Sequence, residues 1–226
     1  MTPHLQGPPV TFADVLPRAR LRSVSATHVV LDGRAALRVE LLEDISRDGI
    51  PDRDYVDMPT LVELPIEFLD GMIEVDLLAR LNGHWPEGAR GFAGLAFHVQ
   101  QEENSFECVY LRPTNGTRAH APSPRNERAI QYFAYPDWRF ERLRTERPGA
   151  YEAGAPIDID EWITLRLDVA GDEVRALVNG EECLSVAPTL LHSEGGRIGL
   201  FVDIGTVAYF SDLRVQPRPR SADARQ

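Results

Sequence analysis

Apolar and polar residues alternate with a period of two along much of the chain. The clearest runs are residues 162–169 and 174–178, separated by a short turn. Such alternation predicts strands with one buried face. The second run leads into Asn179 and Gly180, a pair that tolerates the positive φ angles of a type I′ hairpin turn. We therefore expect residues 182–186 to return as the paired strand.

Six further segments show the same alternation or form short apolar runs between turn residues. They are residues 35–41, 71–79, 91–99, 105–112, 196–202 and 206–215. Residues 138–147 suit either a short helix or a charged loop, and no long amphipathic helix is visible. Many short strands with tight turns predict an all-β sandwich or barrel.

The length and composition favour one domain. A chain of 226 residues that is 43% hydrophobic can bury the core of a large sandwich. No Gly/Ser linker and no internal repeat divides it. We expect a single domain over residues 1–226, with its core at about 30–215 and irregular, Pro- and Arg-rich ends.

The order of the strands resembles a known superfamily. The segments that carry the resemblance are Gly71-Met-Ile-Glu-Val-Asp76, Gly91-Phe-Ala-Gly-Leu-Ala-Phe97, Glu107-Cys-Val-Tyr-Leu-Arg-Pro113, Glu161-Trp-Ile-Thr-Leu-Arg-Leu-Asp-Val169, Val178-Asn-Gly180 and Ala208-Tyr-Phe-Ser-Asp-Leu213. Over about residues 30–215 the chain resembles the concanavalin-A-like and laminin-G-like jelly-roll proteins. More narrowly, it is similar to bacterial 3-keto-disaccharide hydrolase-like domains.

This resemblance implies a two-sheet antiparallel jelly-roll sandwich with a ligand groove on its concave sheet, commonly for carbohydrate. One feature departs from the family 16 glycoside hydrolases, which place three acidic residues along one strand. Here Glu74 and Asp76 are followed by Leu77, Leu78 and Ala79. Because the third carboxylate is missing, the resemblance does not extend to that retaining mechanism.

Charge and motifs exclude several classes of function. The net charge of -11 disfavours a nucleic-acid partner, since such binding depends on Lys and Arg that neutralise phosphates. No apolar run is long enough for a membrane span, and no signal peptide is visible, so we expect a cytoplasmic protein. No Gly-rich phosphate loop or nucleophile elbow is present. Cys108 and Cys183 do not form a disulfide framework.

Alternation predicts which side chains share a face. If Ile73, Val75 and Leu77 are core, their polar neighbours point the other way. The same argument on the next two strands predicts one surface that combines Glu74, Asp76, His98, Tyr110 and Arg112. Carboxylates and Arg hydrogen-bond to sugar hydroxyls, and an aromatic ring stacks on their C–H faces. The alternative is that the charges, Glu74 and Arg112 among them, merely pair across a solvated sheet.

Within that surface we assign Glu74, Asp76 and His98 as candidates for proton transfer, with Tyr110 and Arg112 as ligand contacts. A long polar loop at residues 114–128 and the aromatic segment 129–138 extend the candidate site. They add the substrate-binding candidates Asn115, Gln131, Tyr135, Asp137 and Trp138. The alternative for this segment is that its aromatic residues pack beneath the loop.

Metal binding is not part of the main prediction. Clustered carboxylates with Gly49 and Pro51 allow a calcium site, although a solvated acidic turn explains the same pattern. The carboxylates are Asp44, Asp48, Asp52, Asp54 and Asp57. No His and Cys spacing suits zinc, and no other cofactor is predicted.

Three functions follow from these observations. The first is a protein that binds or processes a sugar or glycoside; if it is an enzyme, a carboxylate or His98 transfers protons and Arg112 anchors the substrate. The second is a lyase or cyclase acting on a less polar small molecule in the same groove. The third is a non-catalytic assembly module. The sequence assigns neither the ligand nor the oligomeric state.

Overall fold

The part of the chain that the structure describes contains fourteen strands. The computed structural model describes residues 8–84, 87–100, 104–191 and 194–218. Its strands are β1 (Arg20–Arg22), β2 (Val24–Leu31), β3 (Arg34–Leu41), β4 (Leu61–Phe68), β5 (Gly71–Leu81), β6 (Ala93–Val99), β7 (Phe106–Leu111), β8 (Ile130–Tyr135), β9 (Glu152–Ala153), β10 (Ile163–Ala170), β11 (Glu173–Val178), β12 (Glu181–Val186), β13 (Gly196–Val202) and β14 (Thr206–Pro217). The helices are α1 (Phe12–Val15), α2 (Glu43–Asp48) and α3 (Phe140–Glu146).

The strands form two antiparallel sheets of seven strands each. The first sheet has the order β1-β4-β13-β6-β7-β8-β9, and the second has the order β12-β11-β10-β5-β14-β3-β2. The predicted all-β, two-sheet sandwich is therefore confirmed. No helix in the described ranges is long and apolar enough to cross a bilayer.

Each of the nine segments predicted as strands contains one. The predicted hairpin is also present, because Asn179 and Gly180 have φ angles of 51° and 83° and Val178 pairs with Glu181. The segment 138–147, which the sequence left open, contains the short helix α3. The strands β1, β2, β4, β8 and β9 were not predicted.

The sandwich core lies where alternation places it. Ile73, Val75 and Leu77 on β5 are fully buried, as predicted. On the first sheet, Leu95 lies opposite Val109 and Leu200, so these three side chains share one face, and all three are fully buried. Aliphatic side chains from both sheets thus form the apolar interior.

The other face of the first sheet is also buried. It carries Gly94 and Tyr110, which pair across β6 and β7 and are not exposed to water. The segment of residues 50–60 and the helix α3 close over it, since Tyr55 and Leu143 join the apolar core cluster. We refer to this covered surface as the outer face of the first sheet. Polar side chains on it are consequently removed from bulk water.

Candidate functional site

The structure separates the residues that alternation had grouped. Glu74 and Asp76 lie on β5 in the second sheet, whereas His98, Tyr110 and Arg112 lie on or next to β6 and β7 in the first sheet. The prediction of one surface shared by all five residues is therefore wrong. The reason is that the chain crosses between the sheets after β5, and a period of two does not report which sheet a strand joins.

Glu74 and Asp76 lie on the face of β5 opposite the core. Asp76 accepts hydrogen bonds from Arg34 Nη2 at 2.8 Å and from Thr164 Oγ1 at 2.6 Å. The strand register places Glu74 opposite Arg166 and Arg214. Contacts across the sheet thus account for Asp76, and the register brings Glu74 beside arginines other than Arg112. A catalytic role for either residue stays a prediction.

His98 belongs to a buried network of hydrogen bonds. Its Nδ1 lies 2.7 Å from Glu107 Oε2, and its Nε2 lies 2.7 Å from the carbonyl oxygen of Leu69. Glu107 also accepts a hydrogen bond from the Tyr132 hydroxyl at 2.5 Å, and that hydroxyl accepts one from the Leu190 backbone N–H at 2.9 Å. Both ring nitrogens of His98 are thus engaged inside the protein. Glu107 thus holds His98 in the interior, and His98 does not line the cavity that Tyr110 and Arg112 border.

Tyr110 and Arg112 border a cavity of about 290 Å³ at the end of the outer face of the first sheet. Arg112 Nη2 donates a hydrogen bond to the Tyr110 hydroxyl at 2.5 Å, and its guanidinium carbon lies 5.0 Å from the Tyr110 ring centre. Phe92 and Phe140 supply apolar wall on the same cavity. Only 2% of Tyr110 and 4% of Arg112 is exposed, so their polar groups are held by the protein.

Two carboxyl groups, Asp57 and Asp203, lie at the same cavity. Asp203 Oδ2 accepts the Asp57 backbone N–H at 2.9 Å, and Asp57 Oδ2 accepts the Phe140 N–H at 2.7 Å. Burial, followed by the charge of Asp203, raises the pKa of Asp57 to about 6, against opposing contributions from Arg112 and Tyr110. Burial also raises the pKa of Asp203. Asp57 is therefore suited to exchange a proton close to neutral pH.

A third carboxylate near the cavity, that of Glu152, is surrounded by arginine side chains. Glu152 accepts hydrogen bonds from Arg112 at 3.3 Å and Arg144 at 2.6 Å, and it forms an ion pair with Arg128 at 3.3 Å. Three guanidinium groups thus share one carboxylate that is almost fully buried. Such shared, charge-assisted bonds fix Arg112 in place beside Tyr110.

Asn115 and Gln131 lie close to this centre. Asn115 borders the cavity, donates to the Arg128 carbonyl at 3.0 Å and accepts from Arg125 Nε at 3.1 Å. Gln131 lies opposite Tyr110 in the strand register and donates to two backbone carbonyls, but it does not border the cavity. The structure therefore places Tyr110, Arg112 and Asn115 together at one site, with Gln131 behind them.

Tyr135, Asp137 and Trp138 lie at the far end of β8. Tyr135 stacks on Phe106 with ring centres 5.4 Å apart, and Trp138 carries the Arg142 guanidinium 3.8 Å from its ring centre. Neither these two nor Asp137 borders the cavity. At about 3.3 Å per residue, the four residues from Gln131 to Tyr135 separate the two ends by roughly 13 Å. Packing, the alternative reading of this aromatic segment, explains Tyr135 and Trp138.

The acidic residues considered for calcium do not converge. Asp44 and Asp48 lie on α2, while Asp52 pairs with Arg139 at 2.8 Å and Asp54 pairs with Arg53 at 2.6 Å. Within the described ranges, no group of three or more His, Cys, Asp or Glu side chains is arranged to hold a metal ion.

Sequence reasoning missed both cavity carboxyl groups. Asp57 appeared only as one member of an acidic turn, and Asp203 follows β13 without any motif. The available signal was the position of Asp203 directly after the buried apolar run of residues 198–202, where an acidic residue is unusual unless it is hydrogen-bonded.

Comparisons with known proteins identify the fold. No protein-family model matches the chain. No curated protein matches it either. Among solved structures, the carbohydrate-binding module CBM66 from Bacillus subtilis superposes with a TM-score of 0.52 and 13% identity, covering 85% of this chain and 94% of the module. A β-glucanase from Bacillus licheniformis gives a TM-score of 0.48 and 12% identity, covering 87% of this chain and 83% of the enzyme.

At these identities the likeness concerns the fold alone. The chain has the concanavalin-A-like jelly-roll architecture that its sequence resembles, and that prediction is confirmed. The narrower similarity to 3-keto-disaccharide hydrolase-like domains stays a prediction.

Proposed function

We propose that this chain is a carbohydrate-directed β-sandwich protein that binds a sugar in the cavity at the end of the outer face of the first sheet. One observation carries the proposal: Asp57, Tyr110 and Arg112 present buried, directional hydrogen-bonding groups next to the rings of Phe92 and Phe140. Sugars offer hydroxyl groups and apolar C–H faces, and this cavity offers partners for both. Its volume of about 290 Å³ suits a small ligand or a chain end.

The other two hypotheses fit the cavity less well. A less polar ligand would offer no hydrogen bonds to the carboxyl and guanidinium groups that border the cavity, whereas a sugar would. Assembly through the outer face of the first sheet is disfavoured, because residues 50–60 and α3 cover that face. A carbohydrate-binding module is among the proteins with this fold, which supports the proposal by analogy.

Titration calorimetry with a panel of neutral and acidic mono- and disaccharides tests the proposal, comparing the wild type with Tyr110→Phe. We expect at least one sugar to bind and the variant to bind it about tenfold more weakly, because the ring remains while a buried hydroxyl is lost. Tyr209→Phe, on β14 of the second sheet, is the matched control and keeps wild-type affinity. No binding by any sugar, or equal affinity of Tyr110→Phe and wild type, overturns the proposal.

A second candidate is acid–base catalysis on the bound sugar. It is favoured by Asp57, whose pKa is raised to about 6 beside a second carboxyl group, Asp203. In this hypothesis the Asp57 carboxyl gives a proton to the glycosidic oxygen as the bond from that oxygen to the anomeric carbon breaks. Water then adds to the anomeric carbon, and the proton that it loses restores the Asp57 carboxyl. Aryl glycoside turnover as a function of pH tests it: Asp57→Asn is expected to lower the rate by about 10²- to 10⁴-fold. An unchanged rate in Asp57→Asn, or no turnover by the wild type, contradicts it.

A further inference from the structure

The cavity is positively charged although the protein is acidic. The chain carries a net charge of -11, yet five arginines border this cavity: Arg90, Arg112, Arg125, Arg128 and Arg144. Asp57 and Asp203 also border it, and Glu152 contacts three of the arginines. Five guanidinium groups therefore face three carboxyl groups, of which Asp57 is partly protonated near neutral pH.

Arg90 and Arg125 lack a carboxylate partner within the part of the chain that the structure describes. Arg90 donates to two backbone carbonyls at 2.7 and 2.8 Å. Arg125 donates to the Asn115 side chain at 3.1 Å and to a backbone carbonyl at 3.3 Å. Burial lowers the pKa of Arg90, and the charges of Arg125 and Arg112 lower it further. These two cations therefore border the cavity without an ion pair to any carboxylate of the described residues.

An anionic group in the cavity would relieve this repulsion. Guanidinium groups bind carboxylates through paired, charge-assisted hydrogen bonds, which the flat fork of Arg suits better than Lys does. A cleft with low-dielectric walls also concentrates ligands of the opposite charge. A long polyanion is disfavoured, because the cavity holds only about 290 Å³ and the protein outside it is acidic overall.

We propose that the preferred ligand is a sugar that carries a carboxylate, a uronic acid or a glycan that ends in one, with Arg90 and Arg125 contacting that carboxylate. This proposal rests on the proposed function, since it places the sugar ring against Tyr110 and Arg112. It adds the chemical class of the ligand and assigns a specificity role to Arg90 and Arg125, which pair with no carboxylate among the described residues.

Calorimetry at pH 7 with matched ligand pairs tests the proposal. The pairs are D-glucuronate with D-glucose and D-galacturonate with D-galactose, and glucose 6-phosphate separates a carboxylate from a phosphate. We expect one uronate to bind at least about tenfold more tightly than its neutral partner, with an affinity that falls as salt is added. The double variant Arg90→Gln/Arg125→Gln is expected to bring the ratio of the two affinities close to one.

Two further variants control for charge and folding. Arg175→Gln, on β11 of the second sheet, removes a half-exposed arginine away from the cavity and keeps the wild-type ratio. Arg90→Lys/Arg125→Lys keeps the charge but loses the fork, and we expect an intermediate ratio. Thermal melts verify that each variant folds.

The outcomes separate the two proposals. Equal binding of uronate and neutral sugar, or an unchanged ratio in the double glutamine variant, overturns the proposal that the ligand carries a carboxylate. It does not overturn the proposal that the cavity binds a sugar. Tighter binding of glucose 6-phosphate than of either uronate also overturns the proposed preference for a carboxylate. Failure of every sugar to bind overturns both proposals.

Discussion

The outer faces of the two sheets contain the same types of charged residue in different surroundings. On the second sheet, Arg34 and Asp76 pair at 2.8 Å with 35% and 17% of their side chains exposed. On the first sheet, Arg112 and Glu152 pair at 3.3 Å with only 5% and 6% exposed. The difference arises because residues 50–60 and α3 cover the first sheet around the cavity.

Burial changes what these charges do. Partly exposed pairs exchange with water and contribute little to stability. Buried charges must instead be neutralised by fixed partners, and a proton becomes one such partner when the pKa of a carboxyl group rises. Asp57 therefore titrates near neutrality in the covered site. The covering segments, more than the strands themselves, therefore convert a set of paired charges into a candidate binding site.

The largest expected effect comes from removing the buried arginine. Arg112→Ala removes a buried cation that favours ionised Asp57, donates to the Tyr110 hydroxyl and is one of three that contact Glu152, so we expect a loss of about 3–5 kcal/mol in the free energy of unfolding. Arg34→Ala on the second sheet is the matched change and should cost less than about 1 kcal/mol. Urea denaturation at pH 7 measures both. A smaller loss for Arg112→Ala than for Arg34→Ala would contradict the contrast between the faces.

The free energy of unfolding is expected to depend on pH through Asp57 in the covered site of the first sheet. The folded pKa of Asp57 is about 6, above the ordinary value of 3.8, so the folded state binds the extra proton between these values. The stability that this proton contributes is fully present below about pH 4 and is lost as the pH rises through 6. At pH 7.5 the ionised, buried Asp57 then costs roughly 3 kcal/mol.

Asp57→Asn removes that cost. We expect the variant to be more stable than wild type by up to about 3 kcal/mol at pH 7.5, with the advantage disappearing near pH 4. Asp76→Asn on the second sheet weakens the contact with Arg34 and should be slightly destabilising at both pH values. Thermal or urea denaturation across this pH range tests both variants. If the wild type is more stable than Asp57→Asn at pH 7.5, the ionised Asp57 carboxylate does not lower the free energy of unfolding as expected.

The sequence predicted the strands better than the site, for a physical reason. Alternation is local, so it identified the strand at residues 162–169 and the hairpin at Asn179. It carries no information about which sheet a strand joins, and it therefore grouped Glu74 with Arg112. Alternation does not report covering segments either: the polar face of β7 was predicted to be a ligand groove or, alternatively, a solvated sheet, whereas residues 50–60 and α3 cover it.

Within the site, the residues that the sequence identified lie on β7 or in the segment directly after it. Tyr110 and Arg112 follow the alternation of β7, and Asn115 stands in the long loop behind it; all three border the cavity. Asp57 and Asp203 approach the cavity from segments without periodicity. Their contact spans 146 residues of sequence, and a single sequence offers no measure of that distance.

The smallest expected effect concerns ligand binding on the second sheet. Glu74 and Asp76 lie on the second sheet, away from the cavity. We therefore expect Glu74→Gln and Asp76→Asn to bind the tightest-binding sugar of the panel with an affinity within about twofold of wild type. Tyr110→Phe, in the same assay, should lose about tenfold. If Glu74→Gln instead weakens binding or turnover as much as Tyr110→Phe does, the ligand occupies the second sheet, and the catalytic role that the sequence suggested for Glu74 and Asp76 regains its basis.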